Sequence, residues 1–442
     1  MPEEERQKRE ADKRKARKNN GAKRGIHYEM EQEEHDVYPD DPDFDINKAR
    51  LVTTAPRICV RYECVPMRFI KHVYKIHTYA QDGRLFEGKT PVSAFLNSSY
   101  DGSFIAGLME LRYIQSLPVE RIINYFESHG FTLKKPTAHK LMEKASSLFE
   151  NLYKCIRQTA LSDPYKAADE TYYKILVPEK NSKGKGVRKG YLWVVVGINT
   201  RMIYLLYDDG SRSEKVILNE LGGCKGIIQS DGYSPYRKLE SDAYPHITRI
   251  PCLQHIKRKF IDCGEDDPDA KRIVEMINTL YQNEHKHKIG VDGWTVEQNL
   301  VHRKKYAPDI LGEIKDVLDD IEERGDLLPK SELKEAITYL RNEWNAVVDI
   351  FNYGDTYLDN NIVERMNRYI SLSRKNSLFF GSHKGAERGA ILYTIALTCR
   401  MNKVNLFEYL TDIINRTAEW QPNTPLEKYR QLLPDRWEKA ND

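Results

Sequence analysis

Three acidic residues stand where the character of the chain changes: Asp169 in ADETYYK, Asp231 at the Asp-Gly turn of QSDGYSPY, and Glu364 in DNNIVERMNRY. They lie 62 and then 133 residues apart. Carboxylates drawn from distant segments suit hard divalent cations, because magnesium prefers oxygen donors and keeps positions open for water and phosphate. Two such ions about 4 Å apart can stabilise both the attacking and the leaving oxygen of an in-line displacement at phosphorus. Taken singly, each residue has a plainer role: Asp169 as a solvated residue opening a strand, Asp231 as half of an ordinary turn, Glu364 as a surface helix charge. Their joint placement is what points to chemistry.

Two further groups surround this trio. Cys252 and His255 form a CxxH in PCLQHIKRKF. A zinc site needs two more ligands, and Cys263 and His246 are only loosely positioned, so a structural or DNA-contacting role is expected in place of a metal. Arg258, Arg365, Arg368, Arg374 and Lys375 cluster near the carboxylates in sequence. Beside carboxylates suited to displacement at phosphorus they are expected to grip phosphates, the alternative being a solvated face. The irregular spacing of Cys59, Cys64, His72 and His77, on expected strands, assigns no zinc.

The elements that must position these residues follow from periodicity. DETYYKILV, YLWVVVGI and MIYLLY are three consecutive strand candidates, with a basic loop from Lys180 to Gly190. A helix from about Ser213 to Leu221 follows, then the strand GIIQS ending at Asp231-Gly232, a short helix, the strand ITRIP and the helix CLQHIKRKF. Strand, strand, strand, helix, strand, helix, strand is the skeleton of a ribonuclease-H-like α/β domain. Charged amphipathic helices interrupt it from about Pro268 to Tyr357, one of them spanning Ser331 to Phe351 with Leu333, Ile337, Leu340, Trp344 and Val348 as a core-facing stripe. A helix from about Asn361 to Leu372 resumes it, with Val363, Met366 and Ile370 on the apolar face and Asn360, Glu364 and Arg368 on the polar one.

Upstream, Arg61 to Val65 and Phe69 to Ile76 read as strands around Pro66. From about Pro91 to Leu161 the pattern is helical, with a stop at Gly130 and a restart at Pro136-Thr137, where Thr137 is placed to cap. A helix-turn-helix of this kind suits the DNA major groove; plain packing is the commoner use. The expected organisation is a charged disordered tail (1–50), a small β region (51–90), a helical DNA-binding region (91–162), a first catalytic part (163–266), a helical insertion (267–358), final catalytic helices (359–400) and a C-terminal helical tail (401–442).

Composition narrows the class. Of 442 residues, 40% are hydrophobic and 31% charged, enough for two or three domains with their own cores. The longest apolar runs, such as Tyr191 to Ile198, are strand-sized, and the opening PEEERQKREADKRK lacks a signal-peptide core, so neither a membrane span nor export is expected. Seven cysteines without a CxxC pair argue for a reducing compartment, the cytoplasm by default. Net charge is only +3, from 69 Lys and Arg against 66 Asp and Glu, and its distribution says more: the first 24 residues are basic in excess, and Glu29 to Asp45 holds nine acidic residues and no Lys or Arg.

ADETYYK, QSDGYSPY, PCLQHIKRKF, DNNIVERMNRYISLSRKNSLFFGSHKGAERGAILYTI and the late LLPDRW together resemble the transposases of the insertion sequence 66 family, over about residues 56 to 437 in order. The resemblance implies a DDE-type DNA transposase in which Asp169, Asp231 and Glu364 take the three catalytic, metal-holding positions with two Mg²⁺ (or Mn²⁺) ions. It also implies a helical insertion before the glutamate, the CxxH at Cys252 and His255, element ends and target DNA as substrates, and a mobile element encoding accessory proteins. Pairing two DNA ends calls for at least a dimer. The family's cysteine-rich zinc motif ahead of the helical region is reduced here to Cys59 and Cys64. Two rivals stay open: a ribonuclease-H-like nuclease that cuts without joining, and a transposase-derived DNA-binding protein that no longer catalyses.

Overall fold

Residues 187–197 (VRKGYLWVVVG) and 165–176 (YKAADETYYKIL) are rich in aromatic and β-branched side chains, and in the computed structural model they form the two longest strands of a mixed sheet. The structure describes residues 67–439 except 74–77, 82–83, 88–93, 96–97, 180–183, 185, 265 and 422. The expected tail, the strand Arg61 to Val65, and Cys59, Cys64 and His77 lie outside the described residues.

A hairpin of β1 (Thr78–Gln81) and β2 (Arg84–Glu87) comes first. Four helices follow: α1 (Gly102–Tyr113), α2 (Val119–Ser128), α3 (Lys135–Leu148) and α4 (Glu150–Leu161). The sheet is then laid down as β3 (Tyr165–Leu176), β4 (Val187–Gly197), β5 (Met202–Leu206), α5 (Glu214–Leu221), β6 (Gly226–Ser230), the single turn α6 (Ser234–Arg237), β7 (Ile247–Pro251) and α7 (Leu253–Asp262). Three long helices intervene, α8 (Pro268–His285), α9 (Val296–Glu323) and α10 (Glu332–Ile350). The chain closes with α11 (Asn361–Asn376), the two-residue β8 (Phe379–Phe380), α12 (His383–Met401), α13 (Leu406–Thr417) and α14 (Leu426–Gln431).

Strand order is β5-β4-β3-β6-β7. β3, β4 and β5 run antiparallel, while β6 lies parallel to β3 and β7 parallel to β6. β4 covers one edge of β3 along its whole length, but the other edge is shared: β6 pairs only with Tyr165–Ala167 and β8 only with Lys174 and Ile175. Between them the edge of β3 has no strand beside it. Side chains fill in, Asn360 donating to the Ala168 carbonyl at 3.0 Å and Arg374 to the Tyr172 carbonyl at 2.8 Å. Buried carbonyls need such partners, so α11 and the turn before it stand in for a missing strand.

Two cores result. One joins β3, β4 and β5 to α1–α4 and α11–α13, with Trp193, Tyr204, Tyr393 and Tyr409 fully buried. The other packs Ile250, Leu253, Ile256 and Phe260 against the interrupting helices through Ile273, Ile314, Leu318 and Ile337.

Several expectations need correction. Asp169 does not open its strand; four residues of β3 precede it. Phe69 to Val73 carry no strand, and the hairpin falls further on, at β1 and β2. Thr137 does not cap α3: the N-cap is Lys134, and Pro136 sits in the first turn, where its missing N–H costs nothing. On α10 the buried face is rotated to Ala336, Ile337, Leu340, Glu343, Val347 and Ile350, leaving Val348 37% exposed, because the polar Glu343 is drawn inward by Arg249. Within the expected C-terminal helical tail, Leu406, Tyr409, Leu410, Ile413 and Ile414 are buried in the first core with α1, so α13 is part of that core. That same core runs across residues 162 and 163, so the four helices and the sheet share one interior.

Candidate active site

Parallel pairing fixes where two of the three carboxylates fall. Tyr165, Lys166 and Ala167 pair with Ile227, Ile228 and Gln229, an offset that continues to Asp169 and Asp231 two steps beyond. Carried on by that offset, Asp169, still paired with Val194 of β4, falls level with Asp231, the residue after β6 ends. Their proximity is felt electrostatically: burial first, then the charges of Glu170 and Asp231, push the Asp169 carboxyl up to about 7.

Asp169 Oδ1 accepts from the Glu170 amide at 2.8 Å, and Oδ2 accepts from Asn367 Nδ2 at 2.6 Å. Asn367 lies three residues after Glu364 on α11, so the same helical face carries both toward β3. The loop before α11 is tied down at several points. The Leu253 amide donates to the Leu358 carbonyl at 2.8 Å, Gln229 Nε2 to the Tyr357 carbonyl at 2.8 Å, and the Tyr357 amide to the Tyr165 hydroxyl at 3.0 Å. Buried Arg303, on α9, donates to the carbonyls of Ile350, Tyr353 and Thr356. Glu364 thus begins a helix whose approach is set by β6, α7 and the interrupting helices together.

Asp231 is held from the other side. Its Oδ1 accepts from the Tyr233 amide at 3.0 Å, an Asx turn. Its carbonyl accepts from Arg249 at 3.2 Å, and the next amide, Gly232, donates to the Tyr339 hydroxyl of α10 at 2.9 Å. Arg249 and Glu343 are fully buried and ion-paired, with Glu240 completing the group. Gly232 is required here, since a Cβ would sit 2.6 Å from the Tyr339 ring carbon that bears the hydroxyl.

The three carboxylates are not drawn into one tight cluster. Among the described residues, the group whose ligand atoms all lie within 4.8 Å of one another is Cys252, His255 and Glu364. The CxxH therefore belongs to this site, and its companions are other than expected. His246 precedes β7 while Cys252 follows it, and Cys263 ends α7 while Cys252 begins it, so neither reaches the sulfur.

Of the expected DNA-contacting cations, Arg258, Arg365, Arg368 and Lys375 are exposed and form no ion pair among the described residues. Arg374 is held on β3, with its guanidinium 3.9 Å over the Tyr172 ring. It begins a row that sequence spacing did not reveal. Lys189 lies 4.2 Å over Tyr172 and 5.2 Å over Tyr191, and Arg212 lies 5.1 Å over Tyr191 and 4.2 Å over Tyr233. Cations and half-exposed rings alternate from α11 across β3 and β4 to the Asp231 turn. Glu170, also missed, pairs with Arg212 at 2.5 Å and is pushed up by burial against the pull of that guanidinium. Only cross-strand register, which sets Tyr172 opposite Tyr191, could have found the row.

A mixed α/β protein with a central sheet and many helices, in which Asp169 feels the charge of Asp231 beyond a parallel strand pair, is the class that this geometry defines. The sequence model described as "Transposase IS66 family" matches residues 97–388. The chain belongs to that family. It is also similar to three uncharacterized proteins of Sinorhizobium fredii (strain NGR234): y4jD, 25% identical over 75% of this chain and 65% of the relative; y4hP, 24% over 90% and 76%; and y4qI, 26% over 83% and 69%. The chain thus spans less than two thirds of the length of y4jD. No described helix is long and apolar enough to cross a membrane.

Proposed function

We propose that this chain is a DDE-type DNA transposase with a ribonuclease-H-like catalytic domain, cutting the 3′ ends of an insertion sequence and joining them to target DNA. The observation that carries it is Asp169 on β3 within electrostatic reach of Asp231, the residue that follows the parallel strand β6, with Glu364 one helical turn from the side chain bonded to Asp169. The strand order β5-β4-β3-β6-β7, with three antiparallel strands and then two parallel ones, supports the ribonuclease-H-like reading. Family membership supports transposition.

The donor set fits a hard divalent cation. Asp169, Asp231 and Glu364 offer only oxygens, and the half-buried Asp169 faces the like charges of Glu170 and Asp231. These residues would hold Mg²⁺ or Mn²⁺, two ions in this reading, which when bound supply a polarised water and charge stabilisation at the displaced phosphodiester. Asn367 aims Asp169, and Tyr339 with Arg249 fixes the Asp231 turn. Arg258, Arg365, Arg368 and Lys375 grip DNA phosphates, Arg374 joins them through its row of rings, and the α2–α3 pair offers a helix-turn-helix. Each step exchanges or hydrolyses a phosphodiester, so no external energy source is needed. Two DNA ends call for a dimer or larger assembly, with element-encoded accessory proteins as further partners and the bacterial nucleoid as the place of action.

Changing Asp231 to Asn is expected to abolish Mg²⁺-dependent cleavage of element-end DNA while leaving DNA binding largely intact; surviving cleavage overturns the assignment. Labelled end DNA in a strand-transfer assay separates a transposase from a nuclease that leaves nicks without joined product.

A further inference from the structure

Cys252 and His255 have no part in the scheme above, yet they meet one of its members. Cys252 is the N-cap of α7 and His255 lies one turn on, so both side chains reach the same side, where Glu364 comes from α11. His255 Nδ1 and Glu364 Oε1 are 3.8 Å apart, too far for a hydrogen bond. Both atoms are buried and neither has a hydrogen-bond partner in the described structure, and the same is true of the Tyr281 hydroxyl on α8. That hydroxyl lies near enough to Cys252 and Glu364 to feel their charges. Burying polar atoms without partners is unfavourable, so His255 Nδ1 and Glu364 Oε1 side by side call for a missing partner.

The sulfur is oriented as a ligand. The Asn360 amide donates to Cys252 Sγ at 3.2 Å. Amide donors of this kind orient and stabilise metal-bound ligands. A thiolate and a carboxylate together neutralise a divalent cation. Magnesium avoids sulfur, whereas one S, one N and one O donor with a fourth position open is a zinc-type set.

We propose that Cys252, His255 and Glu364 form a binding site for Zn²⁺ or a cation of its class, next to the magnesium carboxylates. Glu364 serves both sides, Oε1 toward sulfur and imidazole and its second oxygen left for the carboxylate side. Binding displaces the thiol proton to solvent and pins α11 to α7, which fixes the helix that carries Glu364. The site goes beyond the transposase reading and does not require it.

Cobalt(II) titrated into the chelator-stripped full-length chain, with Cys59 and Cys64 changed to Ser, tests this. A thiolate-to-cobalt charge-transfer band in the near ultraviolet, saturating at a single equivalent and erased by Zn²⁺, is expected. Cys252→Ser should remove the band, His255→Gln and Glu364→Gln should weaken cobalt binding more than about tenfold, and Asp231→Asn should leave the band intact. No band in the starting protein, a band surviving Cys252→Ser, or unchanged affinity in His255→Gln would each overturn the site. Circular dichroism checks folding, and His255→Gln, at a partly exposed side chain, decides if Cys252→Ser does not fold. Mg²⁺-dependent DNA cleavage is read in parallel: its absence counts against the proposed function and leaves the cobalt result standing.

Discussion

Asn367 Nδ2 donates to Asp169 Oδ2 at 2.6 Å, joining a helix near the end of the chain to the central strand 198 residues earlier. The buried amide decides which way the carboxylate faces, and it lies one turn from Glu364. Removing it with Asn367→Ala is expected to lower Mg²⁺-dependent cleavage about 10- to 100-fold, with DNA affinity within about twofold. Equal losses in both assays would mean that Asn367 supports the fold and does not aim the carboxylate.

Asp169 gives the site a pH signature. Its carboxyl is raised from 3.8 to about 7, so the folded state holds a proton that the unfolded chain has already released. Stability is therefore expected to fall as pH rises from about 4 to 7 and to level off above, by about 1–3 kcal/mol once partial exposure is allowed for. Asp169→Asn should flatten that slope. Apparent Mg²⁺ affinity should rise up to tenfold per pH unit below about 7 and plateau above, because the ion takes the ionised form. Chemical denaturation at several pH values and magnesium titration calorimetry measure the two; a slope unchanged in Asp169→Asn refutes the assignment.

The interrupting helices reach the site through Arg249, Glu343 and Tyr339. Glu343→Ala leaves the buried Arg249 guanidinium with Glu240 as its remaining carboxylate partner and should cost about 2–4 kcal/mol, read by urea denaturation. Tyr339→Phe removes only the acceptor for the Gly232 amide, costing about 1 kcal/mol while lowering cleavage more than that loss explains. If Tyr339→Phe cleaves normally, α10 supports the fold alone.

The alternating row of Arg374, Tyr172, Lys189, Tyr191, Arg212 and Tyr233 is suited to unpaired bases, since ring stacking contributes about 1–3 kcal/mol per base and tolerates any sequence. Tyr172→Ala is expected to weaken binding of a short single-stranded oligonucleotide at least about fivefold, with duplex binding little changed. Arg258→Ala, Arg365→Ala and Arg368→Ala should instead weaken duplex binding and each reduce the salt slope by about 1. Fluorescence anisotropy across a salt series separates the two behaviours, and an unaltered single-strand affinity in Tyr172→Ala excludes the stacking role.

Alternation and composition along the chain were enough to place β3, β4, β5, β6 and β7, to set α5 and α7 in order, and to show that a helical block interrupts them, because backbone hydrogen bonding imposes its period locally. The elements that carry Asp231 and Glu364 are legible for the same reason, the end of β6 and the start of α11 being marked by local sequence. What the chain could not disclose was decided by packing. Asp169 lies mid-strand because β3 pairs with β4 on both sides of it, Lys134 and not Thr137 caps α3, α10 turns to bury Glu343 against Arg249, and Leu406 to Ile414 return to the core beside α1. The company kept by Glu364, with Cys252 and His255 as near neighbours and Asn367 one turn on, arises from segments more than a hundred residues apart. Spacing in sequence carries no distance between such segments; only the register of parallel strands and the seating of α11 in the gap along β3 supply it.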